Sequence, residues 1–192
     1  MPHEQHKLHG SHHGKISYLE SPERRAELPP EKLLGMMPIK ETDTVLDFGA
    51  GTGYFSIPLA KRVAGTVYAL DIDESMLKII NSKAQEERIS NLVAIHGGNT
   101  GIPLPDALVD VVVASLVLHE INPLAAALNQ INRVLKEGGH LACIELEPKG
   151  ESAQKAPRIS MAGMEKEFTE AGLRITKKFF PTEHLYVLIA QK

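Results

Sequence analysis

Residues 45–53 read Val-Leu-Asp-Phe-Gly-Ala-Gly-Thr-Gly, and the next apolar run, Val67-Tyr68-Ala69-Leu70, closes on Asp71. Val45, Leu46 and Phe48 make a short strand that is apolar on both faces, the pattern of a parallel strand covered by helices. Gly49, Gly51 and Gly53 allow a sharp turn and a close approach of backbone to a ligand. Phe55, Ile57, Leu59, Ala60 and Val63 then continue as a helix whose N-terminus faces the same point, with Pro58 disturbing its first turns. A strand, a glycine turn, a helix and a second strand ending in an acid is how a doubly wound sheet holds a nucleoside-bearing cofactor. Asp71 can accept two hydrogen bonds from vicinal ribose hydroxyls. Its alternative role is to cap the next helix, and Asp73 is better placed for that.

Outward from this stretch, strand and helix signals alternate, as in an α/β sheet with right-handed crossovers. Strands are expected near 44–48, 66–70, 92–96, 109–114, 140–146, 173–180 and 185–190. Asp73 caps a helix with Met76, Leu77, Ile80 and Ala84 on one face. Asn122-Pro123 reads as an N-cap followed by proline at the first helical position. It opens a stripe of Leu124, Ala127, Leu128, Ile131, Val134 and Leu135 that stops at Lys136-Glu137-Gly138-Gly139. Met164, Phe168 and Ala171 line a further helix ending at Gly172. Residues 147–160 lack periodicity, contain two prolines and read as a long loop on the ligand side of the sheet.

The 192 residues are 43% apolar and 23% charged, with a net charge of −3. These values fit one globular domain and give no basic face for a nucleic-acid partner. No run of 18 apolar residues exists, and the first 15 residues are polar and His-rich, so neither a membrane span nor a secretory signal is expected. The single Cys143, in the apolar run Leu141 to Leu146, reads as a buried small hydrophobe and agrees with a cytoplasmic location.

A dinucleotide fingerprint needs Gly-x-Gly-x-x-Gly, but position 54 is Tyr and the third glycine comes one residue early, at Gly53. This turn, with Asp47 two residues before its first glycine, resembles motif I of the class I S-adenosylmethionine-dependent methyltransferases. Asp71, Ile102-Pro103-Leu104-Pro105-Asp106 before Val109 to Val113, and Leu135 to Leu141 follow in the same order. From about Thr42 to Leu146 the chain is similar to the small, stand-alone bacterial members. The resemblance implies a Rossmann-like, doubly wound, seven-stranded, mostly parallel sheet with helices on both faces and its last strand antiparallel. It also implies S-adenosylmethionine as cofactor. Asp47 then orients the amino group of the cofactor's methionine part, and Gly49, Ala50, Gly51 and Gly53 pack close to it. Asp71 binds the ribose, Ile72 packs on one face of adenine, and Ser115 and Leu116 lie beside the sulfonium. Relatives often carry an acid after strand three for the adenine amino group. Here that position is Gly98, and the side-chain carbonyl of Asn99 is the substitute one residue on.

Methyl transfer from a sulfonium needs alignment and dryness more than a catalytic group, and a base only where the acceptor carries a proton. His119, just past strand four, either takes that proton or lines the pocket wall. Tyr18, Tyr54, Arg24 and Arg25 are other polar groups within reach. No Asn/Asp-Pro-Pro-Tyr segment follows strand four, and one cysteine is too few for arsenite chemistry, so a small-molecule acceptor is expected. The alternatives are a catalytically silent S-adenosylmethionine-binding protein and a nicotinamide-dependent oxidoreductase. His3, His6, His9, His12 and His13 read as a solvated tail over residues 1–15 rather than a metal site. Residues 16–40, carrying Ile16, Tyr18, Leu19, Leu28, Leu33, Leu34, Met36 and Met37, are expected to form a helical lid over the methyltransferase domain at 41–192.

Overall fold

The computed structural model describes residues 21, 29–98, 101–148 and 157–192. Along the chain run α1 (Pro30–Gly35), β1 (Val45–Phe48), α2 (Ser56–Arg62), β2 (Val67–Asp71), α3 (Glu74–Glu86) and β3 (Leu92–His96). Then come β4 (Val109–Ser115), a single 3-10 turn (Leu118–Glu120), α4 (Leu124–Val134), β5 (Leu135–Leu146), α5 (Met161–Glu170), β6 (Arg174–Phe179) and β7 (Leu185–Gln191). The seven strands form one sheet in the order β3-β2-β1-β4-β5-β7-β6. β1 to β5 are mutually parallel, and β7 runs antiparallel to both β5 and β6. The strand order reverses at β1, which lies between β2 and β4, and in open α/β sheets ligands bind beyond the carboxyl ends of the strands at such a switch point.

Strand alternation splits the core into two layers. Leu46, Phe48, Val112, Ala114, Leu141, Cys143 and Leu188 point to one face, where Leu128, Ile131 and Val134 of α4 and Met164 and Phe168 of α5 cover them. Val45, Val111, Val113, Ala142, Ile144, Val187 and Ile189 point to the other, beneath α2 and α1. Both layers are buried because helices cover both faces, which is why β1 and β4 read as continuous apolar runs.

Four local expectations change. The helix after Asn122-Pro123 begins one residue late, at Leu124. Pro123 takes an extended conformation (φ −62 is found at Pro29; here φ is −78 and ψ 133), so proline stands at the N-cap and Asn122 makes no capping bond. The same helix stops at Val134, because Leu135 turns extended and pairs with Val109 before a bulge at Gly138, and pairing resumes between His140 and Val111. β5 therefore starts five residues before the expected 140, while Leu135 stays buried by strand packing instead of helix packing. Pro58 sits at the third position of α2, where the first-turn amide has no intrahelical acceptor, so the helix proceeds through it.

The fourth change concerns the N-terminal segment. Leu33 and Leu34 of α1, with Met37 and Ile39, are buried among Val45, Phe55, Leu59 and Val113. This part of residues 16–40 is core, and its apolar content is explained by that burial. The rest of the expected lid, 16–20 and 22–28, and the histidine tail at 1–15 lie outside the described residues. Leu34, 1% exposed, supplies the test: Leu34→Ala should cost about 2–5 kcal/mol of folding stability in the absence of any ligand. Denaturant unfolding at unchanged stability would restore the lid role of this segment.

Candidate active site

The turn after β1 is fastened at each step. The amides of Gly49 and Ala50 both donate to the Leu70 carbonyl at 2.9 Å. The amide of Gly51 donates to Asp71 Oδ2 at 2.7 Å, and the amide of Asp73 to Asp71 Oδ1 at 2.9 Å. Lys83 of α3 donates to the Thr52 carbonyl at 2.9 Å. Asp71 thus joins the turn to the start of α3, while Asp73 caps that helix through the Ser75 amide, as expected. Each Asp71 oxygen keeps acceptor capacity for a further donor.

Two glycines are required by more than flexibility. Gly49 has φ +74, and a Cβ there would lie 2.4 Å from Cγ2 of Val117, on the chain leaving β4. Gly53 has φ +86, and its Cβ would press on Ile80 at 3.1 Å. The backbone at Gly49 and the Val117 side chain therefore close against each other. That contact brings the segment after β4 onto the glycine turn.

Asp47 is 2% exposed and its Oδ2 accepts the Ser56 hydroxyl proton at 2.5 Å. Ile72 is 73% exposed, a large apolar side chain in solvent next to Asp71. Gly98 exchanges backbone hydrogen bonds with Gly101 and approaches Ile72, while Asn99 lies outside the described residues. At the end of β4, Ser115 is buried and its hydroxyl has no hydrogen-bond partner among the described residues. Leu116 next to it has φ +53, a left-handed backbone that branched residues avoid and that collects at functional sites. Tyr54 is buried in the α1 and α2 layer, edge-on to Phe55. Tyr18, Arg24 and Arg25 lie outside the described residues.

His119 is 8% exposed, and its ring is held on both sides. Nδ1 lies 2.7 Å from Glu145 Oε2, and the His119 amide donates to Glu145 Oε1 at 3.3 Å. Nε2 faces Arg158, whose Nη1 is 3.2 Å away, with Glu120 Oε1 at 3.8 Å. Glu145, 1% exposed, was not legible as a site residue, although a lone acid inside the apolar strand Leu141-Ala-Cys-Ile-Glu-Leu needs a partner. Arg158 was equally hidden, because the loop returns it from far along the chain. That return is anchored by the Tyr186 hydroxyl donating to the Ile159 carbonyl and by the Met161 amide donating to Glu147. Burial, with Glu145's charge behind it, pushes the Cys143 thiol well up and leaves it inert.

The sequence matches the family model described as "Methyltransferase domain" over residues 46–143, just over half the chain. The fold is that of the class I, Rossmann-like methyltransferases, and the chain belongs to this methyltransferase-domain family. A demethylmenaquinone methyltransferase of Listeria welshimeri is 34% identical over 117 residues, 60% of this chain and 50% of the relative. One of Geobacillus sp. is 32% identical over the same length and shares. The chain thus spans about half the length of these curated relatives. The crystal structure of a SAM-dependent methyltransferase from Aquifex aeolicus superposes with a TM-score of 0.86 at 28% identity, covering 93% of this chain and 97% of that one. SpnF, a cyclase, superposes at 0.78 with 18% identity over 87% of this chain and 81% of its own, a likeness of fold alone.

The Gly49 contact makes a measurable claim. Gly49→Ala should destabilise the fold by at least about 1–2 kcal/mol from the left-handed backbone alone. Val117→Ala in the same chain should recover part of the further loss, with a coupling of about 0.5–3 kcal/mol in a double-mutant cycle. Strict additivity would mean that the two segments do not bear on each other.

Proposed function

We propose that this chain binds S-adenosylmethionine across the glycine turn and transfers its methyl group to a small-molecule acceptor. The observation that carries this is the arrangement at the ends of β1 and β2: a backbone cradle that a Cβ at Gly49 would fill, an acid with free acceptor capacity, and exposed Ile72 beside it. These residues fit the cofactor. Asp71 takes the ribose hydroxyls, Ile72 one face of the adenine, and Asp47 orients the amino group, with Gly49, Ala50, Gly51 and Gly53 against the methionine chain. The unpartnered Ser115 hydroxyl and the strained Leu116 lie at the methyl end, and Asn99 is the residue proposed for the adenine amino group.

When bound, the cofactor supplies a methyl group already activated by its sulfonium. The chain's own work is to hold the acceptor in line with it and to exclude water. His119 is proposed to manage the acceptor's proton, with segment 16–28 still a candidate cover for the crevice. The relatives named as demethylmenaquinone methyltransferases support a small organic acceptor. A cytoplasmic location belongs to the same reading, supported by the lone, buried Cys143. No helix among the described residues is long and apolar enough to cross a membrane. A silent binding protein would hold the cofactor and never consume it with any acceptor.

Calorimetry with S-adenosylmethionine and its demethylated product tests the cofactor directly. Asp71→Ala removes a charge-assisted, two-point contact, so affinity should fall by about 1.5–3 kcal/mol, roughly ten- to a hundredfold in Kd. Unchanged affinity would leave Asp71 as a stitch between the turn and α3 only.

A further inference from the structure

The buried pair of Glu145 and His119, with Arg158 against the second ring nitrogen, is more than a pocket wall requires. A carboxylate 1% exposed at the end of an apolar strand is expensive to bury, and a core position there would be filled more cheaply by an apolar side chain. Both of its oxygens are committed to His119, one to the ring and one to the amide. With Nδ1–H donating to Glu145, the ring is held in the tautomer that leaves the Nε2 lone pair facing outward. There it meets Arg158, which is half-buried and set in place from behind by Tyr186, Glu147 and the Ser160 cap of α5. His119 follows two residues after Val117, whose side chain closes on Gly49, and so belongs to the segment that leaves β4 at the carboxyl end of the sheet.

We propose that His119, Glu145 and Arg158 form an acceptor-activating site and that the acceptor carries an acidic hydroxyl on a conjugated system, a phenol or an enol. This rests on the methyl-transfer reading above. Nε2 of His119 takes the hydroxyl proton and the oxygen keeps the electron pair. Arg158 moves its hydrogen bond from Nε2 to that oxyanion, and Glu145 balances the imidazolium that forms. The oxyanion, or the ring carbon conjugated with it, then bonds to the methyl carbon as the carbon–sulfur bond breaks and sulfur keeps that pair. Where carbon is the nucleophile, its own hydrogen leaves as a proton and the hydroxyl is restored. His119 and Arg158 touch the acceptor in this scheme, and Glu145 is a positioning residue. Among the described residues the charged groups facing the imidazole are Glu145 from β5, Arg158 from the segment before α5, and Glu120 from its own turn.

The test uses the full chain with S-adenosylmethionine and two matched pairs of probes: catechol with 4-nitrocatechol, and 1,4-dihydroxynaphthalene with a nitro-substituted naphthol. One member of each pair carries a protonated hydroxyl at neutral pH and the other a largely ionised one. Methyl transfer should be found with at least one pair. His119→Ala should lower kcat on the protonated probe by about a hundredfold or more and spare the ionised one. Glu145→Gln should shift the pH profile on the protonated probe only. Arg158→Ala should raise KM about tenfold on both members, with Arg158→Lys recovering part of it. Cofactor affinity and the circular dichroism spectrum should be unchanged in the Arg158 variants, which keeps the proposal testable if a change at buried Glu145 prevents folding. Equal losses on both members in His119→Ala, unchanged KM in Arg158→Ala, or no transfer to any probe by a chain that binds the cofactor would overturn it. A wild-type chain that fails to bind S-adenosylmethionine overturns the cofactor reading instead.

Discussion

The site depends on the carboxylate of Asp71. It stands at the end of β2 and accepts the amides of Gly51 and Asp73. A glycine turn has little to hold it, because glycine gives up more conformational freedom on folding than any other residue. Here the parallel register of β1 and β2, with Phe48 opposite Leu70, brings the turn's first amides onto the Leu70 carbonyl and its centre onto Asp71. Three glycines with positive φ are thereby kept in one shape. The acid is therefore a structural stitch that ties the glycine turn to the start of α3.

A second constraint acts from the other side. β4 and β5 are in register with Ser115 opposite Ile144, so Glu145 comes just beyond the point where the chain leaves β4. It meets His119 there instead of solvent. A polar pair buried this deeply is tolerated only when its hydrogen bonds are complete, and a carboxylate with one oxygen on the ring and one on the amide meets that condition. Ser115 is the contrast: its buried hydroxyl has no partner among the described residues. Polar satisfaction at this end of the sheet is thus complete at Glu145 and incomplete at Ser115.

The fold sets the floor of the site without choosing the reaction. A chain of cyclase function shares it at 18% identity, as expected where chemistry resides in side chains grafted on a common sheet. In this chain the groups after β4 and before α5, His119 and Arg158, come from segments outside the glycine turn.

The sequence by itself determined the seven strands, to within a residue or two except at the start of β5, and the glycine turn. It did so because these are local: strand periodicity, glycine spacing, the Asp73 cap and the acid at a strand end lie within a few residues of one another. The helix boundaries around Pro123 and Leu135 were missed because backbone pairing with a distant strand, Leu135 with Val109, overrode the helical stripe. Apolar content alone does not say which surface Leu33, Leu34 and Met37 cover. Only the tertiary structure decided that these residues lie under the sheet beside α2. It alone joined His119 to Glu145, 26 residues away, and to Arg158, 39 residues away. Such pairings depend on strand order and register, which place distant residues side by side and leave no trace in the spacing along the chain.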